Sequence, residues 1–284
     1  MLGSISDADD ALQEALLAAW RGLEGFEGRA PLRSWLYRIT TNACLRLIGE
    51  RPRRVLPPER APASQQTEVE PSVEGPLWLE PYPEPADASY ELKESIELAF
   101  VAALQHLPAT QRAALILGEV LGFSSAEIAE LCATSVSAVN SARERARATL
   151  GERVPSRSQQ ATLATLGAEG ERVLTSAFVE AWARADVNAL VALLTADVRF
   201  GMPPIPTWFA GREAVGRFFA ERVFRTPWRL TPLRANGQLA FACYQGPNFT
   251  LGALNVITVK EQRIGEMTGF LHPSVHRYFS LPDR

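Results

Sequence analysis

Apolar residues recur at helical spacing along the first fifty positions. In DADDALQEALLAAWRGLEGFEGRAPLRSWLYRITTNACLRL, Leu12, Leu16, Ala19, Trp20 and Leu23 predict one helix with a single buried face. Asp9, Asp10, Gln13 and Glu14 lie away from that face. Gly25 to Pro31 reads as a loop with Phe26 and Arg29 at its tip, and Pro31 suits the first turn of a second helix. On that helix Leu36, Ile39, Ala43 and Leu47 share one side. Arg38, Thr41 and Asn42 project from the other, flanked by Trp35, Tyr37 and Arg46. Exposed aromatic and Arg side chains on one helix suit stacking on unpaired bases. The plainer reading puts Trp35 and Tyr37 in the core.

Residues 124–150, SSAEIAELCATSVSAVNSARERARATL, predict two helices joined by a tight turn. Ser124 and Glu127 form a capping box for the first. Ile128, Ala129, Leu131 and Cys132 give its apolar stripe, Ala133 fits the turn, and Ser135 or Ser137 caps the second helix. Val136 and Val139 are expected to face inward, which leaves Ser137, Ala138, Asn140 and Ser141 for a groove. Arg143, Arg145 and Arg147 follow as cations for phosphates. An ordinary helical hairpin with a solvated basic face is the plainer alternative.

The pattern changes after Ser156. Val173, Leu174, Ala177, Phe178 and Trp182 mark a helix, and residues 187–194 a second. A strand is expected over 197–202, then a helix over 211–223 with Val215, Phe218 and Phe219 inward. Strands follow over 228–235, 239–244, 249–260 and 263–271, the first two joined by an Asn236-Gly237 turn. Helices followed by a meander indicate an α+β sheet curved around helices.

At 284 residues, two or three domains are expected. Residues 50–88 are rich in Pro, Glu, Ser and Ala and read as an extended or disordered tether. It begins with a basic knot, Arg51-Pro-Arg-Arg. Its Trp78-Leu-Glu-Pro-Tyr-Pro is too apolar for a passive link and is expected to pack on a neighbouring domain, with Trp78 and Tyr82 as an exposed plug. Residues 57–88 carry Arg60 against seven acids, so the net charge of −3 is concentrated there. Neither helical module is strongly basic, which fits a factor that relies on a partner to hold nucleic acid better than a free-standing repressor. Cys44, Cys132 and Cys243 are scattered singly and suggest neither disulfides nor zinc. With no apolar run of membrane length and no signal peptide before the first motif, a soluble cytoplasmic protein with no membrane contact is expected.

Together the two helical stretches resemble the extracytoplasmic-function (ECF) group of the bacterial sigma-70 family. DADDALQEALLAAW resembles region 2.2, FEGRAPLRSWLYRITTNACL resembles regions 2.3 and 2.4, and residues 104–150 resemble region 4. The resemblance implies core RNA polymerase and promoter DNA as partners. It places core contact on Asp10, Gln13 and Glu14, the −10 element on Phe26, Arg29, Trp35, Arg38 and Asn42, and the −35 element on Ser137, Ala138, Asn140, Ser141 and Arg145. Two departures stand out. Met1-Leu2-Gly3-Ser4 matches only the end of the family's preceding helix, region 2.1, so a start codon further upstream is expected. Arg46 stands where relatives often carry Asp, adding charge beside the DNA face.

Residues from AFVEAWARADVNALVALLTADVRFGMPP onward, with GREAVGRFF and the closing strands, resemble the SnoaL-like branch of the NTF2-like cone fold. The implied fold class is multidomain: all-α sigma region 2 and region 4 (helix-turn-helix) domains, then an α+β NTF2-like cone-shaped barrel. The expected division is 1–50 region 2, 51–88 linker, 89–153 region 4 and 160–284 SnoaL-like domain. Candidate pocket residues are Phe200, Met202, Trp208, Phe209, Phe241, Tyr244 and Asn255. No Asp or Glu joins them as a base facing an oxyanion donor, and Asp197 is expected at an exposed strand end. His272 and His276, four apart, lack carboxylate or Cys partners for a metal. No catalytic residue, cofactor or metal is assigned, and a small-molecule or protein effector is the expected partner of this domain. Two rivals to a sigma factor remain: a SnoaL-like isomerase or cyclase carrying a DNA-binding arm, and a metabolite-sensing helix-turn-helix regulator.

Overall fold

The computed structural model describes residues 1–75, 77–84 and 90–282. The chain divides into two compact units. One comprises Met1–Arg54 and Leu98–Ser156, the other Val55–Glu97 and Arg157–Arg284. Along the chain the first helices are α1 (Ile5–Gly22), α2 (Leu32–Glu50), α3 (Tyr90–Ile96), α4 (Leu98–Leu104), α5 (Ala109–Leu115), α6 (Ser125–Leu131) and α7 (Val136–Arg153). All but α3 belong to the first, all-helical unit.

Ser4 caps α1 by accepting from the Asp7 amide at 3.0 Å. The buried face of this helix differs from expectation. Ala11 and Ala15 are buried against Ala43 and Leu47 of α2 and Ala19 is buried one turn on, while Leu12, Leu16, Trp20 and Leu23 are exposed, Trp20 by 77%. Small residues let the two helices approach closely, and the large residues one position on are turned to solvent. On α2, Leu36 is exposed and Thr41 is buried, the reverse of the expected sides.

The Ser124–Glu127 capping box forms as expected, with the Ser124 amide donating to Glu127 at 2.8 Å. Ala133 adopts φ +50 in the turn, a conformation that its small side chain tolerates. Ser135 caps α7, accepting from the Ala138 amide at 3.1 Å. Val139 is buried, whereas Val136 is 45% exposed because it lies in the first turn beyond α6. Between α5 and α6 the chain makes a π-helical turn over Ile116–Val120. Gly118 in this turn lies against the Arg143 guanidinium, which an added Cβ would meet at 2.9 Å and push aside.

In the second unit α8 (Gln159–Ala183), broken at Gly167, and α9 (Val187–Ala192) precede β1 (Leu194–Met202), β2 (Ile205–Ala210), α10 (Arg212–Glu221) and the strands β3 (Trp228–Ala235), β4 (Gln238–Gln245), β5 (Thr250–Lys260) and β6 (Arg263–Phe270). A short α11 (Pro273–His276) follows. The sheet order is β2-β1-β6-β5-β4-β3, antiparallel except between β1 and β6. Strand β2 was not expected, since its start follows Pro203-Pro204 and contains Pro206, residues that read as a loop. Aromatic rings fill the inner face: Phe178 lies 4.6 Å from Phe241, Phe209 4.3 Å from Phe218, and Trp182 meets Phe219, Phe224 and Trp228 edge-on.

The expected free tether is largely absent. Residues 55–75 and 77–84 run along the second unit. The Ser64 amide donates to Trp208, the Val73 amide to Pro204 and the Glu70 amide to the Thr207 hydroxyl. Trp78 is not an exposed plug. It is buried, forms a bridge with Val55 and donates to the Val73 carbonyl at 2.8 Å, while Tyr82 stays 40% exposed. Helix α3 also clusters here, although the sequence pattern groups 89–153 as one module.

Candidate nucleic-acid interface

The loop between α1 and α2 brings Phe26 against Trp35, with ring centroids 5.0 Å apart. Both are half-buried, and Arg29 and Arg38 are exposed beside them. These four residues line one cleft of about 370 Å³, whose other wall is Glu127, Glu130 and Leu131 of α6. Asn42 is not part of that cleft. It borders a separate hollow with Glu14, Ile39 and Arg46. Arg29 is paired with Glu27.

Helices α2 and α6 are tied by further residues that the sequence did not single out. Tyr37 meets Phe123 edge-on at 5.0 Å, and the Arg33 guanidinium lies 5.5 and 5.2 Å from their ring centres. Phe123 is itself in the helix-turn-helix core with Leu117, Ile128 and Val139.

On α7, Ser137, Ala138, Asn140 and Arg145 are exposed and Ser141 is half-buried. The Asn140 Oδ1 accepts from the Ser125 hydroxyl at 2.6 Å, which fixes its amide orientation. Arg143 and Arg147 both donate to Glu119. Burial opposes charge on Glu119, but those hydrogen bonds outweigh it and hold its carboxyl below the usual range. Arg145 is exposed on α7 and, among the described residues, is not one of the cations paired with Glu119.

Of the α1 residues assigned to core contact, Asp10 and Gln13 are exposed and Glu14 is half-buried. Asp10 lies 3.4 Å from Arg51. Glu14 pairs with Arg46, which also reaches Glu50 at 3.2 Å. Arg46 therefore adds less free charge than its place in the sequence implied.

The pocket candidates divide. Phe200, Met202, Phe209 and Phe241 are in the apolar core of the second unit. Asn255 pairs with Phe241 in the β4–β5 register and so shares its face, buried, with no hydrogen-bond partner for Nδ2 among the described residues. Tyr244 is opposite Arg229, whose guanidinium sits 5.2 Å from its ring, and it is outside that core. Trp208 points its indole N–H to the Ala61 carbonyl at 2.7 Å. Asp197 is exposed as expected, and its ion pair with Lys260 at 2.7 Å lowers its pKa to about 2. His272 accepts from the Ser274 amide and His276 contacts the Phe270 carbonyl, so the two do not converge. Among the described residues no group of three or more metal-ligating side chains occurs, and no helix is long and apolar enough to cross a membrane.

The helical unit thus has the construction of a DNA-reading module with an added aromatic–cationic surface on α2. Family models agree: Sigma-70 region 2 matches residues 1–54, Sigma-70 region 4 residues 97–150, and a SnoaL-like domain residues 175–267. The chain is 38% identical over 299 aligned positions to the ECF RNA polymerase sigma factor SigG of Mycobacterium tuberculosis, covering all of this chain and 79% of the relative. It is 32% identical over 148 positions to the ECF sigma-E factor of Escherichia coli, covering 52% of this chain and 74% of that one. The crystal structure of the M. tuberculosis ECF sigma factor SigJ matches with TM-score 0.63 over 99% of this chain and 93% of the other, at 19% identity, and shows the same fold. The chain belongs to the ECF RNA polymerase sigma factors and carries a C-terminal SnoaL-like domain.

Proposed function

We propose that the chain binds core RNA polymerase through α1, reads promoter DNA with the α2 and α7 surfaces, and is modulated by its C-terminal unit without catalysis there. It acts in the cytoplasm, where polymerase and promoters are. The observation that carries this is a pair of surfaces on one helical unit: the cleft of Phe26 from the α1–α2 loop with Trp35 and Arg38 of α2, and the exposed Ser137, Ala138, Asn140 and Arg145 of α7. The first suits unpaired bases and the second suits a major groove. Asp10, Gln13 and Glu14 supply the acidic-polar face for core contact.

A regulatory role for the second unit is supported by two features. Its inner face is packed with aromatic rings, and the candidate pocket residues Phe200, Met202, Phe209, Phe241 and Asn255 include no Asp or Glu to serve as a base for isomerase or cyclase chemistry. Residues 55–75 and 77–84 are held along it by many polar contacts, which couples those stretches to anything that binds or loosens the unit. The test is run-off transcription by reconstituted holoenzyme, with the intact chain and with a Trp78→Ala variant, at a promoter obtained by selection. Altered output at an unchanged start site supports modulation. Unchanged output, together with turnover of an enone or polyketide-like substrate by the chain, supports the enzyme reading.

A further inference from the structure

Ser125, the first residue of α6, is half-buried and is not among the residues assigned to promoter reading. Its hydroxyl lies 2.6 Å from the Asn140 Oδ1 and 3.2 Å from the Arg143 Nη1. Arg143 is held in turn by Glu119, whose carboxylate accepts from Nη2 at 2.6 Å and from Nε at 3.2 Å. Glu119, Arg143, Ser125 and Asn140 thus form one line across the helix-turn-helix. Asn140 stands at its end, exposed on α7, with Ser137 one turn before it.

The direction of each hydrogen bond follows from its chemistry. A guanidinium can only donate, so the Ser125 oxygen accepts from Arg143. Its own proton is then available to Asn140. A separation of 2.6 Å fits an O–H···O bond and is short for N–H···O. Asn140 therefore turns its amide oxygen to Ser125 and its Nδ2 amine the other way. A flipped amide would compress an N–H···O contact and take from the Ser125 proton its acceptor. One net hydrogen bond favours the observed orientation roughly two- to tenfold.

We propose that Ser125 is a positioning residue that makes Asn140 a reader of guanine, an inference that rests on the reading of α7 as the helix that enters the major groove. An Asn that faces a base with both ends of its amide pairs with adenine, oxygen to N6 and amine to N7. Asn140 cannot set both ends against one base while its oxygen is held back toward α6. Its outward Nδ2 offers donors alone. In the major groove guanine presents two neighbouring acceptors, O6 and N7. Adenine places a donor beside its acceptor, cytosine presents a donor, and thymine presents a single acceptor beside a methyl group. Guanine is the base whose edge uses both N–H groups of the amine.

The test is selection from promoters randomised across the −35 element, by holoenzyme reconstituted from core polymerase and the full chain, followed by binding titrations of the selected site and its single-base substitutions. Asn140→Ala marks the base pair that this side chain reads, as the position whose preference is lost. There the unaltered chain should favour guanine over adenine about fivefold or more, as for one good bidentate pair. Ser125→Ala should lower that ratio about two- to tenfold, the bias that one hydrogen bond supplies. Preferences at the other positions and the salt dependence should not move, which a merely structural role for Ser125 would not predict. Ala suits a first helical turn, and the Ser124–Glu127 capping box is untouched, so the two forms should melt alike. The inference is overturned, with α7 still the reading helix, if Ser125→Ala selects guanine as strongly as the unaltered chain does, if the unaltered chain prefers adenine at that position, or if Asn140→Ala changes no position. A holoenzyme that selects no sequence at the −35 element overturns the reading of α7 and the inference with it.

Discussion

Tyr37 of α2 meets Phe123, at the entry to the helix-turn-helix, ring edge to ring face at 5.0 Å. That contact sets the Phe26–Trp35 cleft opposite Glu127 and Glu130. Two acidic side chains therefore stand where a nucleic-acid backbone would approach Arg29 and Arg38. On the proposed reading, a duplex that reaches both α2 and α7 meets these two carboxylates for as long as the contact is closed.

Tyr37→Ala is expected to loosen it. An aromatic pair is worth about 0.5–1.5 kcal/mol beyond burial, or roughly two- to tenfold in an open–closed ratio. Energy transfer between dyes on α1 and α7 should report a longer mean distance, and no change would show that the ring pair holds nothing.

Glu119→Gln should release Arg143 and Arg147 for phosphate contact. DNA affinity is expected to rise, and the salt dependence to steepen by about 0.9 for each new phosphate contact. The cost in stability is small, about 0–1 kcal/mol for a pair this exposed. The Glu119 carboxyl sits below its ordinary range when folded, so its contribution is complete above that range and is lost as pH falls through the folded value. Salt-series binding assays on both forms read the first effect, and acid melts read the second.

Changing Asp10 and Glu14 together to Lys should abolish co-purification with core polymerase while the melting temperature falls little, since both groups are in exposed pairs. Retained association by the folded double variant would remove α1 from the core interface.

Trp78→Ala should destabilise the path of residues 55–75 and 77–84 by about 3–5 kcal/mol if the site does not collapse. Trp78 is buried and its N–H is bonded to Val73. Hydrogen exchange should rise first in that segment, and uniform protection would show that other contacts carry it.

The helix-turn-helix was legible because its signals are local: a capping box, a small residue in the turn and a Ser cap all lie within a dozen positions. The strands after Trp228 were legible for the same reason. The α1 face was misread because period alone ranks Leu and Trp above Ala as core. The choice of Ala11 and Ala15 depends on how closely α2 approaches, a tertiary fact. The linker misled because Pro- and Glu-rich composition describes an isolated chain. Its order comes from partners such as Thr207 and Asn236, more than a hundred residues away.

The central claim, that this chain directs transcription by opening and reading a promoter, is tested most directly with core polymerase, a selected promoter and permanganate footprinting of the −10 region. The intact chain should give a start-site-specific transcript and reactive thymines. Trp35→Ala should lose the reactive thymines while promoter binding persists. Arg145→Ala should weaken binding, by about 1–3 kcal/mol if that side chain is bidentate to a base. Transcription and thymine reactivity that are the same with the intact chain, with Trp35→Ala and with no added chain would contradict it.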